Sequence, residues 1–297
     1  MTQPRSMAII GFGEVGQIFA RQFHVAGLKD IALFDIAFAD TAGAQSNAAK
    51  GPWKKCETAH AAAADADLIV SAVTAGADLD AARSVLAGLR PGAWFWDLNS
   101  VSPGTKQQAA ALIDGAGGRY VEAAVMSSIP PRGIRSPMLL GGKHAPAFFE
   151  AMAPFQLDLT VYATKIGQAS AVKMCRSVLI KGLEALLTES MLAARHYGVE
   201  RDVLASLKDT LPHPDWQKQA AYMISRALLH GRRRAEEMRE VAKTVEEAGV
   251  APMLSLPIAE RQDWAHGQGT LLPSEALKAP ELERLLNELT LLRAAKS

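Results

Sequence analysis

Near the amino terminus the segment Gly11-Phe12-Gly13-Glu14-Val15-Gly16 carries glycine at its first, third and sixth positions. An unbroken apolar run, Met7-Ala8-Ile9-Ile10, stops at the first glycine, and from Val15 to Ala26 apolar residues recur at helical spacing. A strand that breaks at glycine and restarts as a helix predicts the opening of a βαβ unit. Gly11 permits the tight turn, Gly13 lets a diphosphate approach the backbone, and Gly16 lets the helix pack on the strand. Phe12, Glu14 and Val15 complete the same candidate binding turn. The N–H groups at the start of the helix, together with its dipole, favour negative charge there. A second apolar run, Ile31 to Phe34, ends at Asp35, 19 residues beyond Gly16. A carboxylate at that point accepts ribose hydroxyls and repels a 2′-phosphate, and no arginine follows it directly. These residues predict a bound dinucleotide, NAD in preference to NADP.

The rest of the first half repeats the alternation of short apolar runs and alanine-rich helical stretches. Leu68-Ile69-Val70-Ser71-Ala72-Val73, Ala93-Trp94-Phe95-Trp96, Tyr120 to Val125 and Met138-Leu139-Leu140 read as strands. The pattern predicts an α/β Rossmann-type domain with a largely parallel sheet over residues 1–164. From 165 to 297 the pattern is helical throughout, with helices at 167–196, around 200–210, around 215–247, near 255–266 and from 274 onward. That predicts an all-α second domain, as the 297-residue length also suggests at roughly 150 residues per domain. The long helix is apolar on most sides (Val172, Cys175, Leu179, Leu183, Leu186, Leu187, Met191), so it is expected to be buried between domains or between subunits. In His213-Pro214-Asp215, Asp215 is the expected N-cap of the following helix.

Lys plus Arg total 32 against 31 for Asp plus Glu, a net charge of +1 that argues against a broad grip on nucleic acid or anionic lipid. No apolar run reaches the roughly 20 residues that span a bilayer. Two cysteines, Cys56 and Cys175, make no disulfide framework, and no ligand set has the spacing of a metal site. A soluble cytoplasmic protein without metal is the expectation.

Together these segments resemble the β-hydroxyacid dehydrogenases, the family of 3-hydroxyisobutyrate and 6-phosphogluconate dehydrogenases. Ile9 to Gly16 is similar to the family's opening fingerprint. Ala66 to Val73 is similar to the strand leading into a loop over the cofactor, which implies cofactor contacts from Val73 and Thr74. Asp97-Leu98-Asn99-Ser100-Val101-Ser102-Pro103 resembles D-x-S-T-x-x-P, placing Ser100 beside the nicotinamide or its ribose, with Asn99 a second polar candidate. Gly167-Gln168-Ala169-Ser170-Ala171-Val172-Lys173 resembles the helix that carries the catalytic lysine. The resemblance thus makes Lys173 the general acid and base, whereas read alone it is a lysine snorkelling from an amphipathic helix. Its apolar neighbours favour a desolvated ammonium suited to proton transfer. The resemblance further implies a small acidic hydroxy or keto substrate and a homodimer formed through the helical domain.

The chain also departs from the family. The asparagine pair after the lysine is replaced by Arg176 and Ser177, and the D-A-P-V-S-G-G substrate loop reads Glu122-Ala123-Ala124-Val125-Met126-Ser127-Ser128. Arg176, Ser177, Ser127 and Ser128 are therefore the candidate substrate contacts. Arg132 and Arg135 either clamp an anion or lie in a solvated connection. The run Arg232-Arg233-Arg234 is either a solvated helix end or a substitute for a second lysine whose place Glu236 takes. Two other functions fit the same features: a related imine or keto reductase, and a non-catalytic dinucleotide sensor. The lysine favours hydroxy-acid chemistry over the first, and turnover separates the enzyme from the second.

Overall fold

A computed structural model describes residues 3–40, 50–212, 215–278 and 280–294, so His213 and Pro214 lie outside the described residues. It divides into two compact units, Met1–Met174 and Cys175–Ser297.

The first unit is built on an eight-stranded sheet: β1 (Ser6–Ile10), β2 (Asp30–Phe34), β3 (Lys54–Lys55), β4 (Leu68–Ser71), β5 (Trp94–Asp97), β6 (Arg119–Val125), β7 (Met138–Gly141) and β8 (Leu159–Ala163). Spatial order is β3-β2-β1-β4-β5-β6-β7-β8, parallel through β6, with β7 antiparallel to β6 and β8 parallel to β7. The strands are apolar at successive positions because both faces of the sheet are covered. Met7 and Ile9 point into one core with Phe19, Phe23, Trp96 and Phe148, while Ala8 and Ile10 point into the other with Ile69, Phe95 and Ile113. The predicted strands are present. Of the two strands missing from the sequence reading, β3 is only two exposed lysines, and β8 alternates half-buried with exposed residues at an edge, so neither shows an apolar run.

Helices α1 (Glu14–Val25), α2 (Ala37–Asp40), α3 (Ala59–Ala63), α4 (Asp78–Val85), α5 (Pro103–Gly115) and α6 (Ala145–Met152) follow in this unit. Then α7 (Gln168–Tyr197) begins, and the division at Met174 falls inside it, later than the expected boundary at 164. The reason is local. Buried Glu122 on β6 caps α7 through Oε1, which accepts from the amides of Ala169 at 2.8 Å and Ser170 at 3.1 Å, and Oε2, which accepts from Gly167. A carboxylate against free N–H groups at a helix start opposes the dipole and satisfies three donors at once. The first turns of α7 thus belong to the sheet.

The second unit contains α8 (Glu200–Thr210), α9 (Trp216–Glu247), α10 (Ser255–Gly269), α11 (Ser274–Lys278) and α12 (Leu282–Ala294), with no strand among its described residues. Asp215 caps α9, its side chain accepting from the Lys218 amide at 2.9 Å. Leu187 and Met191 of α7 enter a core with Ala221, Ile224, Leu228, Ala265, Leu285 and Leu289. Within a single chain only part of α7 is buried: Leu179 is 69% exposed, Leu186 67%, and Cys175 is also exposed. A 30-residue helix on the rim of a bundle has room to bury only part of its circumference, and the remaining leucines border an open groove of about 620 Å³ with Leu254, Pro257 and Ile258.

Because three amides share the Glu122 carboxylate, Glu122→Ala is expected to lower the unfolding free energy of the sheet unit by about 2–4 kcal/mol. Glu122→Gln, which keeps one carbonyl acceptor, is expected to lose less. Urea denaturation followed by near-ultraviolet dichroism reads this, and an Ala variant within about 0.5 kcal/mol of wild type contradicts it.

Candidate active site

The chain order changes direction between β1 and β4, with β2 on one side of β1 and β4 on the other. In open parallel sheets the crevice at the carboxyl ends of such strands is where nucleotides bind. The glycine turn sits there. Gly11 has φ +94°, and a β-carbon on it would come within 2.4 Å of the Ala72 carbonyl oxygen; one on Gly16 would come within 2.1 Å of the Gly11 carbonyl oxygen. Neither position accepts a side chain. At Gly13 a β-carbon would meet nothing within 4 Å, so exposed, open backbone faces outward at the start of α1. Gly13 is also the N-cap of α1 and supplies no side-chain cap, which leaves the helix start to receive an anion. This cradle fits the diphosphate of a dinucleotide.

Asp35 follows β2 with its carboxylate held by two amides: Phe12 N–H donates to Oδ2 at 2.5 Å, and Ala37 N–H donates to Oδ1 at 2.8 Å. The turn and the acid are therefore one hydrogen-bonded piece. Phe12 points its ring inward, edge-on to Phe38 and Trp53 at 6.0 Å, so its part is to hold the turn. Glu14 is exposed and Val15 half-buried.

After β4, Val73 is half-buried and Thr74 exposed. Asn99 carries this loop. Its Oδ1 accepts from Val73 N–H at 2.8 Å, and its Nδ2 donates to Ser71 Oγ at 2.9 Å and Asp78 Oδ1 at 2.7 Å. With oxygen and nitrogen so engaged, Asn99 positions the loop rather than presenting a free amide, while Ser100 next to it is half-buried. Ser127 is half-buried and Ser128 exposed in the connection after β6. Arg132 and Arg135 are exposed there too. Lys173 lies half-buried in the second turn of α7, within the sheet unit. In the helical unit Arg176 is exposed, and buried Ser177 accepts a hydrogen bond from Lys181 Nζ at 3.1 Å.

Beneath the strand ends lies a polar layer that the sequence reading missed. Lys106 and Asp97, both with fully buried side chains, pair at 2.7 Å, and the Tyr120 hydroxyl donates to Asp97 Oδ2 at 2.6 Å. Burial, then Asp97, raises the Tyr120 phenol well above its usual range. Asp78 is 2% exposed and its Oδ2 has no hydrogen-bond partner. Burial and then the Asp97 carboxylate push its carboxyl up to about 8, against the lowering effect of Lys106 and Asn99. Glu122 is likewise raised by burial, opposed by the Gly167 amide and then Lys106. A signal existed: Lys106 shares a helical stripe with Ala109, Ala110 and Ile113, a lysine on the apolar face of α5.

The comparisons with known proteins agree with this geometry. Residues 6–152 match the NAD binding domain of 6-phosphogluconate dehydrogenase, and residues 194–265 match a domain of unknown function, DUF1932. A conserved hypothetical protein of Sinorhizobium meliloti 1021 is 36% identical over 90% of each chain, with a TM-score of 0.71. A conserved protein of unknown function, described as structurally similar to 3-hydroxyacid dehydrogenases, is 30% identical over 89% of this chain and 99% of its own, with a TM-score of 0.67. The Mycobacterium tuberculosis 3-hydroxyisobutyrate dehydrogenase, at 15% identity, shares the fold over 96% of this chain and 99% of its own, with a TM-score of 0.71.

The Asp78 carboxyl sets a pH dependence. Its folded-state pKa lies above that of the unfolded chain, so unfolding releases a proton, and stability falls as pH rises from near 4 toward 8 before levelling off. Asp78→Asn keeps an oxygen for Asn99 and removes the ionisation. It is expected to be more stable than wild type at pH 8 by about 2–4 kcal/mol, the gap closing toward pH 4. Parallel wild-type and variant urea curves across that range contradict the assignment.

Proposed function

The chain belongs to the family of 3-hydroxyacid and 6-phosphogluconate dehydrogenase-like proteins, as a divergent member, and on that footing we propose that it interconverts a small hydroxy acid and the matching keto acid or semialdehyde, using NAD and Lys173. The observation that carries this reading is the Glu122 clamp. It fastens the start of α7 to the sheet, so Lys173, three residues beyond Ser170, rides on a fixed support in the same unit as the glycine turn. Proton transfer depends on such positioning, since a group must stay within hydrogen-bond reach of the proton it moves.

Gly11, Gly13, Gly16 and Asp35 would hold the dinucleotide, with Val73, Thr74 and Ser100 toward its nicotinamide end. When bound, NAD supplies the hydride acceptor. Neutral Lys173 takes the proton from the substrate hydroxyl as the carbon-bound hydrogen leaves as hydride, and in the opposite direction its ammonium returns that proton to the carbonyl oxygen. Ser127, Ser128 and Ser177 orient the substrate through their hydroxyls, and Arg176 carries the charge for its acidic group. NAD is preferred because the Asp35 carboxylate, fixed by the Phe12 and Ala37 amides, would stand against a 2′-phosphate.

The protein acts as a homodimer through its helical unit. What supports this is the open groove bordered by Leu179, Leu183, Leu186, Leu254 and Ile258, an apolar surface of the kind that subunit contacts cover. Leu179→Glu with Leu186→Glu is expected to shift the sedimenting mass from dimer to monomer at micromolar concentration. A wild-type monomer under the same conditions overturns the assignment.

A panel of hydroxy acids assayed with NAD and with NADP, on wild type and Lys173→Ala, tests the chemistry. Lys173→Ala is expected to lose about 10²–10⁴-fold in kcat while still binding NADH. Retained turnover removes Lys173 from the mechanism, and faster turnover with NADP removes the role given to Asp35.

A further inference from the structure

One face of α9 carries a row of charged side chains. Arg226, His230, Arg233, Arg234 and Glu237 follow at three- and four-residue spacing, so they line one side of the helix. Two lie within a buried ionic framework. Arg234 grips Glu184 of α7 bidentately, Nε donating to Oε2 at 2.7 Å, and Gln262 Nε2 of α10 donates to the same Oε2 at 3.3 Å. Lys181 of α7 pairs with Glu237 at 2.7 Å, and Arg233 approaches the other oxygen of Glu237 at 3.8 Å. Both carboxylates are therefore committed.

Arg226 is different. It is half-buried, yet among the described residues it makes no ion pair. Burial and then the like charges of Arg234 and Arg233 bear on it, offset in part by Tyr222 and then Glu184. The group as a whole sets four cations, Lys181, Arg226, Arg233 and Arg234, against two carboxylates, Glu184 and Glu237. Burial, then Arg226, Arg233 and Arg234, pushes His230 down to about 4, so at neutral pH its imidazole is uncharged and free to donate a hydrogen bond. Removing a guanidinium from water without a counter-charge is unfavourable, and an excess of cations on a rigid, partly desolvated face is stabilised by an anion from outside.

We propose that Arg226, with His230 and Arg233 beside it, forms an oxyanion subsite in the helical unit that takes a carboxylate or phosphoryl group of a small ligand. Arg226 supplies the planar fork that matches two anionic oxygens, and Arg233 the second charge at the open side. Arg234 and Lys181 hold the framework and do not contact the ligand. The inference stands on the helical unit alone, and its test needs no turnover.

The test is thermal unfolding of the full chain titrated with orthophosphate or malonate, against sodium chloride at matched ionic strength. Both anions are expected to raise the melting temperature saturably, and Arg226→Met to weaken the effect about tenfold or more. A response to phosphate alone identifies a phosphoryl group as the ligand chemistry, and one to malonate alone a carboxylate. Phosphate also has the start of α1 available, so the part of its response that counts is the part lost in Arg226→Met. Arg232→Gln, exposed and paired with Glu236 on another side of α9, is the control expected to respond as wild type does. Should Arg226→Met fail to fold, Arg233→Gln at its exposed position is expected to lower the affinity about threefold. No stabilisation beyond chloride, or a response unchanged in Arg226→Met, or in Arg233→Gln where that variant stands in, overturns the proposal.

Discussion

The contact on which the candidate chemistry depends is the carboxylate of Glu122 at the start of α7. A helix of 30 residues presents unsatisfied N–H groups at its beginning, and an acid on the neighbouring strand accepts from those of Gly167, Ala169 and Ser170. Because Glu122 pairs in register with Asp97 across β5 and β6, that cap joins the polar layer that contains Lys106 and Tyr120. One chain of buried interactions thus runs from the loop held by Asn99 to the helix that carries Lys173.

Such a layer is unfavourable to build and specific once complete. Each member buries a polar group that water would otherwise solvate, and each is offset only where a partner meets it with good geometry. Asp97 is met by Lys106 and Tyr120, and Glu122 by three amides, whereas Asp78 is met on one oxygen only and holds its proton instead. All of this lies at the carboxyl ends of parallel strands, the part of an α/β sheet where ligands bind. The apolar cores on both faces supply the stability that lets these strand ends be polar.

In the helical unit the same physics takes another form. Leu187 and Met191 turn α7 toward an apolar core, while Lys181 and Glu184 on the same helix enter an ionic framework with Glu237 and Arg234. The three arginines at 232–234 illustrate why adjacent residues on a helix do not act together. Arg232 points outward to Glu236, Arg233 leans on Glu237, and Arg234 is buried against Glu184. Successive positions are about 100° apart, so a run of like residues is distributed over three environments.

The sequence by itself determined the alternation of strand and helix, the glycine turn with Asp35, the helical second half and the family to which these point. Each of those is written in local periodicity or in glycines that no other residue can replace: Gly11 at positive φ, Gly16 against the Gly11 carbonyl. The edge strands β3 and β8 escaped because short, half-exposed strands carry no apolar run. Only the tertiary structure decided that Asn99 braces a loop, that Lys106 is buried, that α7 begins as part of the sheet unit and leaves Leu179 and Leu186 bare, and that Arg226 makes no ion pair among the described residues. Those outcomes depend on which groups meet across large sequence separations, such as the Glu122 carboxylate with the Gly167 amide or Glu184 with Arg234. Pairing of that kind is fixed by packing in three dimensions and leaves no period in the chain.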